Sequence, residues 1–281
     1  MIGLHRVMAG KRRGPASCLL GLGGWLAGAG LVAALLASGT ALAQVLISPV
    51  VVELGTRQRA VAVTVTLSDT VRAPMRLQAD LLRWKQDVQG QAVTEPSDDL
   101  VVTPPIAELR PGGQQVFRVA LRGVRPAPEE LAYRLILEDV AEPSAAADSA
   151  PGMVIKFRMR YDLPVLVAPA GPVANALRWK PCATEGAPSA LALPVAPPAI
   201  PHAEACVRLL NAGNRRVKVQ KLTLAGDGWQ QALSLKEGEN VLAGAEREWR
   251  VPLAKGQAGP LRSVQVLTAR GETLQAEAGD F

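Results

Sequence analysis

Almost every segment between residues 45 and 167 repeats with a period of two, and that period constrains the fold more than any other feature of the chain. Val61, Val63 and Val65 alternate with Ala62, Thr64 and Thr66, and Val116 to Leu121 and Tyr133 to Val140 are further short strand-forming runs. Successive side chains of a strand point to opposite faces, so such alternation buries one face of a sheet and wets the other. Turn signals such as Arg110-Pro111-Gly112-Gly113 fall between the runs. Strands are predicted over Val45 to Leu54, Ala60 to Leu67, Met75 to Gln86, Leu100 to Thr103, Gln114 to Leu121, Ala132 to Val140 and Met153 to Val167. Strands of this number and length fit an immunoglobulin-like β-sandwich.

The chain from Gln44 to Phe281 suits two domains of ordinary size better than one. Ala168-Pro169-Ala170-Gly171-Pro172 interrupts the strand-rich text and marks a boundary. The first domain is placed at 44–168 and the second at 173–281. The second repeats the style over Ala174 to Lys180, Ala203 to Leu210, Arg216 to Leu224, Trp229 to Leu235, Arg247 to Leu253, Ser263 to Ala269 and Thr273 to Ala278. The whole chain is therefore expected to be all-β, with a second, smaller sandwich. Ala196-Pro197-Pro198-Ala199-Ile200-Pro201 reads as an extended loop within it.

Residues 1–43 read as a secretory signal peptide. Lys11, Arg12 and Arg13 form a basic start, Cys18 to Ala37 an apolar run broken by five glycines, and Ala41-Leu42-Ala43 a small-x-small cleavage site. The alternative is a retained anchor, since the run is about long enough to span a bilayer. Cleavage would leave a chain beginning at Gln44, with no later segment apolar enough for membrane insertion. It would also remove four of the 31 basic residues and none of the 25 acidic ones, leaving a net charge of +2 instead of +6. That balance, with no aromatic-interleaved basic patch, argues against a nucleic-acid partner.

Cys18 leaves with the leader, and Cys182 and Cys206 remain as a pair. An oxidising compartment favours a disulfide between them. The alternative, a metal site, lacks partners, because His202 is the one histidine after the leader. Closing such a loop stabilises by roughly 3 kcal/mol on the chain-entropy account.

The run Val154-Ile155-Lys156-Phe157-Arg158-Met159-Arg160-Tyr161 carries the functional reading. As a strand it places Ile155, Phe157, Met159 and Tyr161 on one face and Lys156, Arg158 and Arg160 on the other. The plain interpretation is a sandwich strand with its apolar face in the core. The other is an edge strand built for pairing, since soluble proteins ordinarily avoid long apolar edges. A partner lacking a strand would then take main-chain hydrogen bonds from this edge and receive its alternate side chains.

Four segments follow one another in a familiar order. They are Ile47-Ser48-Pro49-Val50-Val51-Val52-Glu53-Leu54; Asp98 to Ile106 with Leu109-Arg110-Pro111-Gly112; Ala132-Tyr133-Arg134-Leu135; and Arg160-Tyr161-Asp162-Leu163-Pro164-Val165. In this order the chain resembles fimbrial periplasmic chaperones of the PapD type, over nearly all of the first domain. The resemblance implies two immunoglobulin-like domains set as a boomerang, and periplasmic binding of pilus subunits by donor-strand complementation through the last strand of the first domain. It also implies delivery to an outer-membrane usher. The cations that hold the subunit's terminal carboxylate in conventional members fall on Val51 and Pro164, so both are missing. The Arg-Tyr-x-Leu-Pro pattern resembles instead the archaic branch, which anchors the carboxylate by an arginine on the preceding strand. Arg134 is the candidate there, with Arg160 in reserve; a guanidinium fork suits a buried carboxylate better than lysine. The other reading of Arg134 is a rim residue or an internal salt bridge to Glu138 or Asp139. Thr103-Pro104-Pro105 matches a family turn in which a cis proline occurs.

An enzyme would need acids, bases, nucleophiles or metals, and the chain offers little. His202 sits in the Pro-rich loop, and Asp98-Asp99 precedes a strand, where turn formation is the common use. No hydrolase elbow, zinc-protease or phosphate-loop motif occurs. A non-enzymatic binding protein without cofactor or metal is expected. The alternative function is a structural pilus subunit or surface adhesion domain. Such a subunit would lack a strand of its own and carry an N-terminal extension, whereas here the first strand begins almost at Gln44.

Overall fold

The computed structural model describes residues 44–123, 127–141, 158–182, 204–257 and 259–281. The signal peptide, Ile155, Phe157, the Pro-rich loop and His202 lie outside the described residues. Residues Gln44–Phe281 form one compact unit. Among the described residues it contains 17 strands and no helix, so none long and apolar enough to cross a membrane.

Ten strands build the first sandwich: β1 (Val45–Ser48), β2 (Val52–Leu54), β3 (Ala60–Leu67), β4 (Met75–Gln86), β5 (Ala92–Pro96), β6 (Leu100–Thr103), β7 (Ile106–Leu109), β8 (Gln114–Leu121), β9 (Leu131–Asp139) and β10 (Arg160–Val167). One sheet runs β1-β3-β8-β6 and the other β2-β10-β9-β4-β5, with β7 also paired to β4. The run Val45–Leu54, expected as one strand, divides between the two sheets, and β6 and β7, either side of Pro104-Pro105, divide likewise. β1 pairs with β3 while β2 pairs with β10, and β6 pairs with β8 while β7 pairs with β4. Ser48–Pro49 and Thr103–Pro104, both cis, stand at those divisions.

Period two works as expected in the core. Val63, Val65 and Leu67 of β3 and Phe117 and Val119 of β8 face Leu77 and Ala79 of β4 and Tyr133, Leu135 and Leu137 of β9, all buried. Each fully buried side chain of this kind contributes roughly 1.5–3 kcal/mol of transfer free energy.

Seven strands build the second sandwich: β11 (Leu177–Pro181), β12 (Glu204–Asn211), β13 (Val217–Gly226), β14 (Trp229–Val241), β15 (Glu246–Pro252), β16 (Leu261–Thr268) and β17 (Thr273–Ala278). They pair in the order β14-β13-β16-β17-β11-β12-β15. The two ends of that order share one core, in which Trp179, Val207, Leu209 and Trp249 pack with Val219, Leu222, Leu224, Val264 and Val266. The bridge expected between Cys182 and Cys206 is present, with Cα atoms 5.4 Å apart.

A third, smaller cluster joins the sandwiches. Trp84, Ala132 and Leu166, on the outer face of the first sandwich's β10-β9-β4 sheet, pack with Leu242 and Ala245 of the second. At one end of this contact the Gln86 amide accepts from Leu242 N (2.9 Å) and donates to Asn240 O (2.9 Å), and Glu248 N donates to Val88 O (2.7 Å). At the other end, Glu130 is paired with Arg216 (3.1 Å) and Arg215 (3.6 Å), and Arg216 also with Glu53 (2.7 Å).

Candidate functional site

β10 pairs with β9 along its whole length, from Arg160↔Glu138 to Val167↔Leu131, but with β2 only over Val165–Val167. From Arg160 to Pro164 its other side has no strand partner among the described residues. Pro164 fits that placement, because proline cannot donate to a ladder and belongs on edges. Leu163 and Val165 point into the first core and Tyr161 packs against it. Burial, and then the charge of Asp139, push the Tyr161 hydroxyl up from its ordinary pKa. Met159 precedes the strand, is 46% exposed, and accepts a hydrogen bond from Asp139 N through its carbonyl (2.9 Å). Of the four side chains expected on one strand face, Tyr161 is thus partly used by its own fold and Met159 stands outward.

Arg134 and Arg160 lie on the other face of the same sheet. The Arg134 guanidinium carbon sits 3.7 Å from the centre of the Trp84 ring, and Nη1 lies 3.4 Å from an Asp162 oxygen. Its side chain is only 18% exposed, and Nε is buried without a partner. The internal ion pair is thus made with Asp162 and not with Glu138 or Asp139, for a geometric reason. Glu138 is four residues along the same strand, about 13 Å away at the strand rise, and Asp139 has the opposite parity. Asp162 lies across the ladder, diagonal to Arg134, where long side chains meet. Arg160 is 57% exposed and 3.7 Å from Glu138.

Asp99, one of the paired carboxylates, proves to be more than a turn former. It accepts from the fully buried Tyr133 hydroxyl (2.8 Å) and from Arg83 (3.1 Å). The Tyr133 hydrogen bond foremost holds its carboxyl below the ordinary range, while burial pushes the tyrosine up. No acid–base pair open to a substrate results. Among the described residues, the grouping best placed to hold a metal is Cys182, Cys206 and Glu248, and its two sulfurs are bonded to each other, leaving no thiolate.

Between the sandwiches lies a cleft of about 230 Å³. The first sandwich supplies Val51, Trp84, Pro164 and Leu166, and the second supplies Arg215, Arg216, Lys218 and Arg270. Val51 and Pro164, which stand where the resemblance places the conventional cations, thus line one wall, and the positive charge comes from the other. The Arg215-Arg216 doublet is visible in the sequence, but only the fold brings it opposite Val51.

An open strand edge thus lies beside a cleft, and comparison with known proteins places the fold. Residues 44–172 match the family described as pili and flagellar-assembly chaperone, PapD N-terminal domain. No curated protein matches the chain in sequence. Several solved structures share the fold. A chain from the CsuC–CsuE chaperone–tip adhesion subunit pre-assembly complex, of the archaic chaperone-usher Csu pili of Acinetobacter baumannii, has a TM-score of 0.58 and 17% identity, covering 85% of this chain and 100% of that one. The class 5 fimbriae chaperone CfaA has a TM-score of 0.55 and 13% identity, covering 84% and 100%. A structure of the chaperone–tip adhesin complex of CFA/I fimbriae biogenesis has a TM-score of 0.54 and 14% identity, covering 83% and 99%. At these identities the likeness is one of fold.

Proposed function

We propose that the chain is a periplasmic chaperone of pilus subunits, composed of a subunit-binding module at 44–168 and a supporting module at 173–281. It acts by binding and not by catalysis. The open side of β10 from Arg160 to Pro164 carries this reading, since an unpaired edge is the element that strand addition requires. The family match over residues 44–172 supports it independently. A subunit pairs along this edge and takes Ile155, Phe157 and Met159, with the rim of Tyr161, into its own open groove. Arg134 is the anchor for the subunit's terminal carboxylate and Arg160 the reserve. The missing cations at Val51 and Pro164 favour the archaic branch, and handover to an outer-membrane usher completes the role.

Co-expression with a pilin, sought among the neighbouring reading frames, tests the reading. A soluble one-to-one complex is expected. If Ile155→Thr, Phe157→Thr and Met159→Thr together left capture intact, the donor-strand assignment would be wrong.

A further inference from the structure

The disulfide of the second sandwich has a third neighbour. Cys182 follows the last residue of β11, and the ladder that pairs Pro181 with Val207 sets it directly opposite Cys206, with Cys182 N donating to Cys206 O (3.3 Å). On the other flank of β12, Arg208 is paired with Glu248 and Cys206 with Arg250, both of β15. Residues of like parity share a sheet face, so Glu248 reaches the bridge on the diagonal from Cys206. The two Sγ atoms and a Glu248 carboxylate oxygen all lie within 4.8 Å of one another, and all three residues are half-buried.

Contacts other than the bridge hold this grouping in place. β12 is laddered to β15 from Glu204 to Leu210 and to β11 from Val207 to Asn211. Glu248 N donates to Val88 O of the first sandwich (2.7 Å), and its carboxylate, on a side chain only 15% exposed, sits between Arg208 (3.1 Å) and Arg250 (3.0 Å). Two thiolates and a carboxylate form a donor set for Zn²⁺, which takes sulfur at about 2.3 Å and carboxylate oxygen at about 2.0–2.2 Å in a tetrahedron. Such a tetrahedron spaces the sulfurs about 3.8 Å apart, within reach of two residues whose Cα atoms are 5.4 Å apart. Water completes the set. Three anionic ligands exceed the charge of the ion by one, and the two arginines at Glu248 offset the excess and orient the carboxylate, as outer-shell partners do.

We infer that the dithiol form of the chain binds Zn²⁺ through Cys182 Sγ, Cys206 Sγ and Glu248, and that oxidation to the disulfide expels the ion. Binding releases the two thiol protons. A disulfide oxidant then takes two electrons from the two thiolates and two protons from solvent, becoming two thiols, while the Sγ–Sγ bond forms and Zn²⁺ leaves with its charge unchanged. Ion and bond tie the same two strand ends, so β11 is joined to β12 before the bridge exists and its thiolates are kept from other disulfides. The inference is independent of what the chain captures.

The test uses the chain from Gln44 to Phe281, one compact unit free of Cys18, reduced with a phosphine, desalted and titrated with Co²⁺ and then Zn²⁺. A thiolate-to-cobalt charge-transfer band should saturate at one equivalent and be displaced by Zn²⁺, with the β-sheet circular dichroism retained. Cys206→Ser should lose the band. Glu248→Gln should keep it but bind Zn²⁺ at least about 10-fold more weakly. Oxidised Glu248→Gln, which keeps the bridge, serves as the fold control and should match oxidised wild type in circular dichroism. Oxidised glutathione added to the Zn²⁺-loaded wild type should release one ion for each disulfide formed, read with a chromogenic chelator. A reduced wild type that shows no band or loses its sheet signal, a Zn²⁺ affinity unchanged by Glu248→Gln, or an ion retained after the bridge has formed overturns the inference.

Discussion

Arg134 shows how one side chain serves two faces of an argument. Its guanidinium covers the Trp84 ring at 3.7 Å and meets Asp162 at 3.4 Å, so it is part of the joint between the sandwiches as well as a charge. A stacked cation of this sort contributes about 0.5–2 kcal/mol, and the half-exposed ion pair adds little. Arg134→Ala should therefore cost about 1–2 kcal/mol in urea denaturation, with Asp162→Asn costing clearly less. Arg134→Lys should recover only part of the loss, because an ammonium lacks the planar fork that stacks on an indole.

At the scale of the element, the turn from β12 to β13 is the part most dependent on a single residue. Asn211, fully buried, donates to Arg215 O (2.8 Å) and Val241 O (3.0 Å) and accepts from Gly213 N (3.1 Å). This fixes the loop that carries Arg215 and Arg216 toward Glu130. Asn211→Ala would remove all three hydrogen bonds, although Gly213 N keeps Ala176 O as an acceptor (3.0 Å), and should cost about 1–3 kcal/mol, read as a lower urea midpoint with unchanged slope. Elements of this kind were only partly legible in the sequence. β3, β4, β6, β8 and β17 begin and end where alternation and turn residues place them. β5, almost wholly exposed, has no alternation to read. The second half of β14, Lys236-Glu237-Gly238-Glu239-Asn240, is charged and passes the register shift between Val219 and Lys221, so its text resembles a loop. Of the run Val154–Tyr161 that was read as an edge strand, Arg160 and Tyr161 begin β10, and residues 154–157 lie outside the described residues. The cationic cleft was not legible, since Lys218 and Arg270 stand far apart in the chain and meet only through the β13–β16 pairing.

For the molecule as a whole, polar contacts at both ends of the Trp84–Leu242 cluster hold the two sandwiches together. Arg216 holds the Glu53 carboxyl below its ordinary value of 4.5, chiefly by direct hydrogen bonding. A carboxyl whose pKa is lowered by folding stabilises above its unfolded value and loses that contribution as pH falls through the folded one. Acidification from about pH 5 to about pH 3 should thus lower the melting temperature of wild type more than that of Glu53→Gln, with scanning calorimetry as the measure. The short reach of β2 has a mechanical meaning at this scale. It occupies one flank of β10 at Val165–Val167 and leaves the preceding five residues without a strand partner there among the described residues, a slot of about 16 Å at the usual strand rise. A chain entering that slot meets β2 as an end-stop, so β2 limits how far an added strand can run toward Val165.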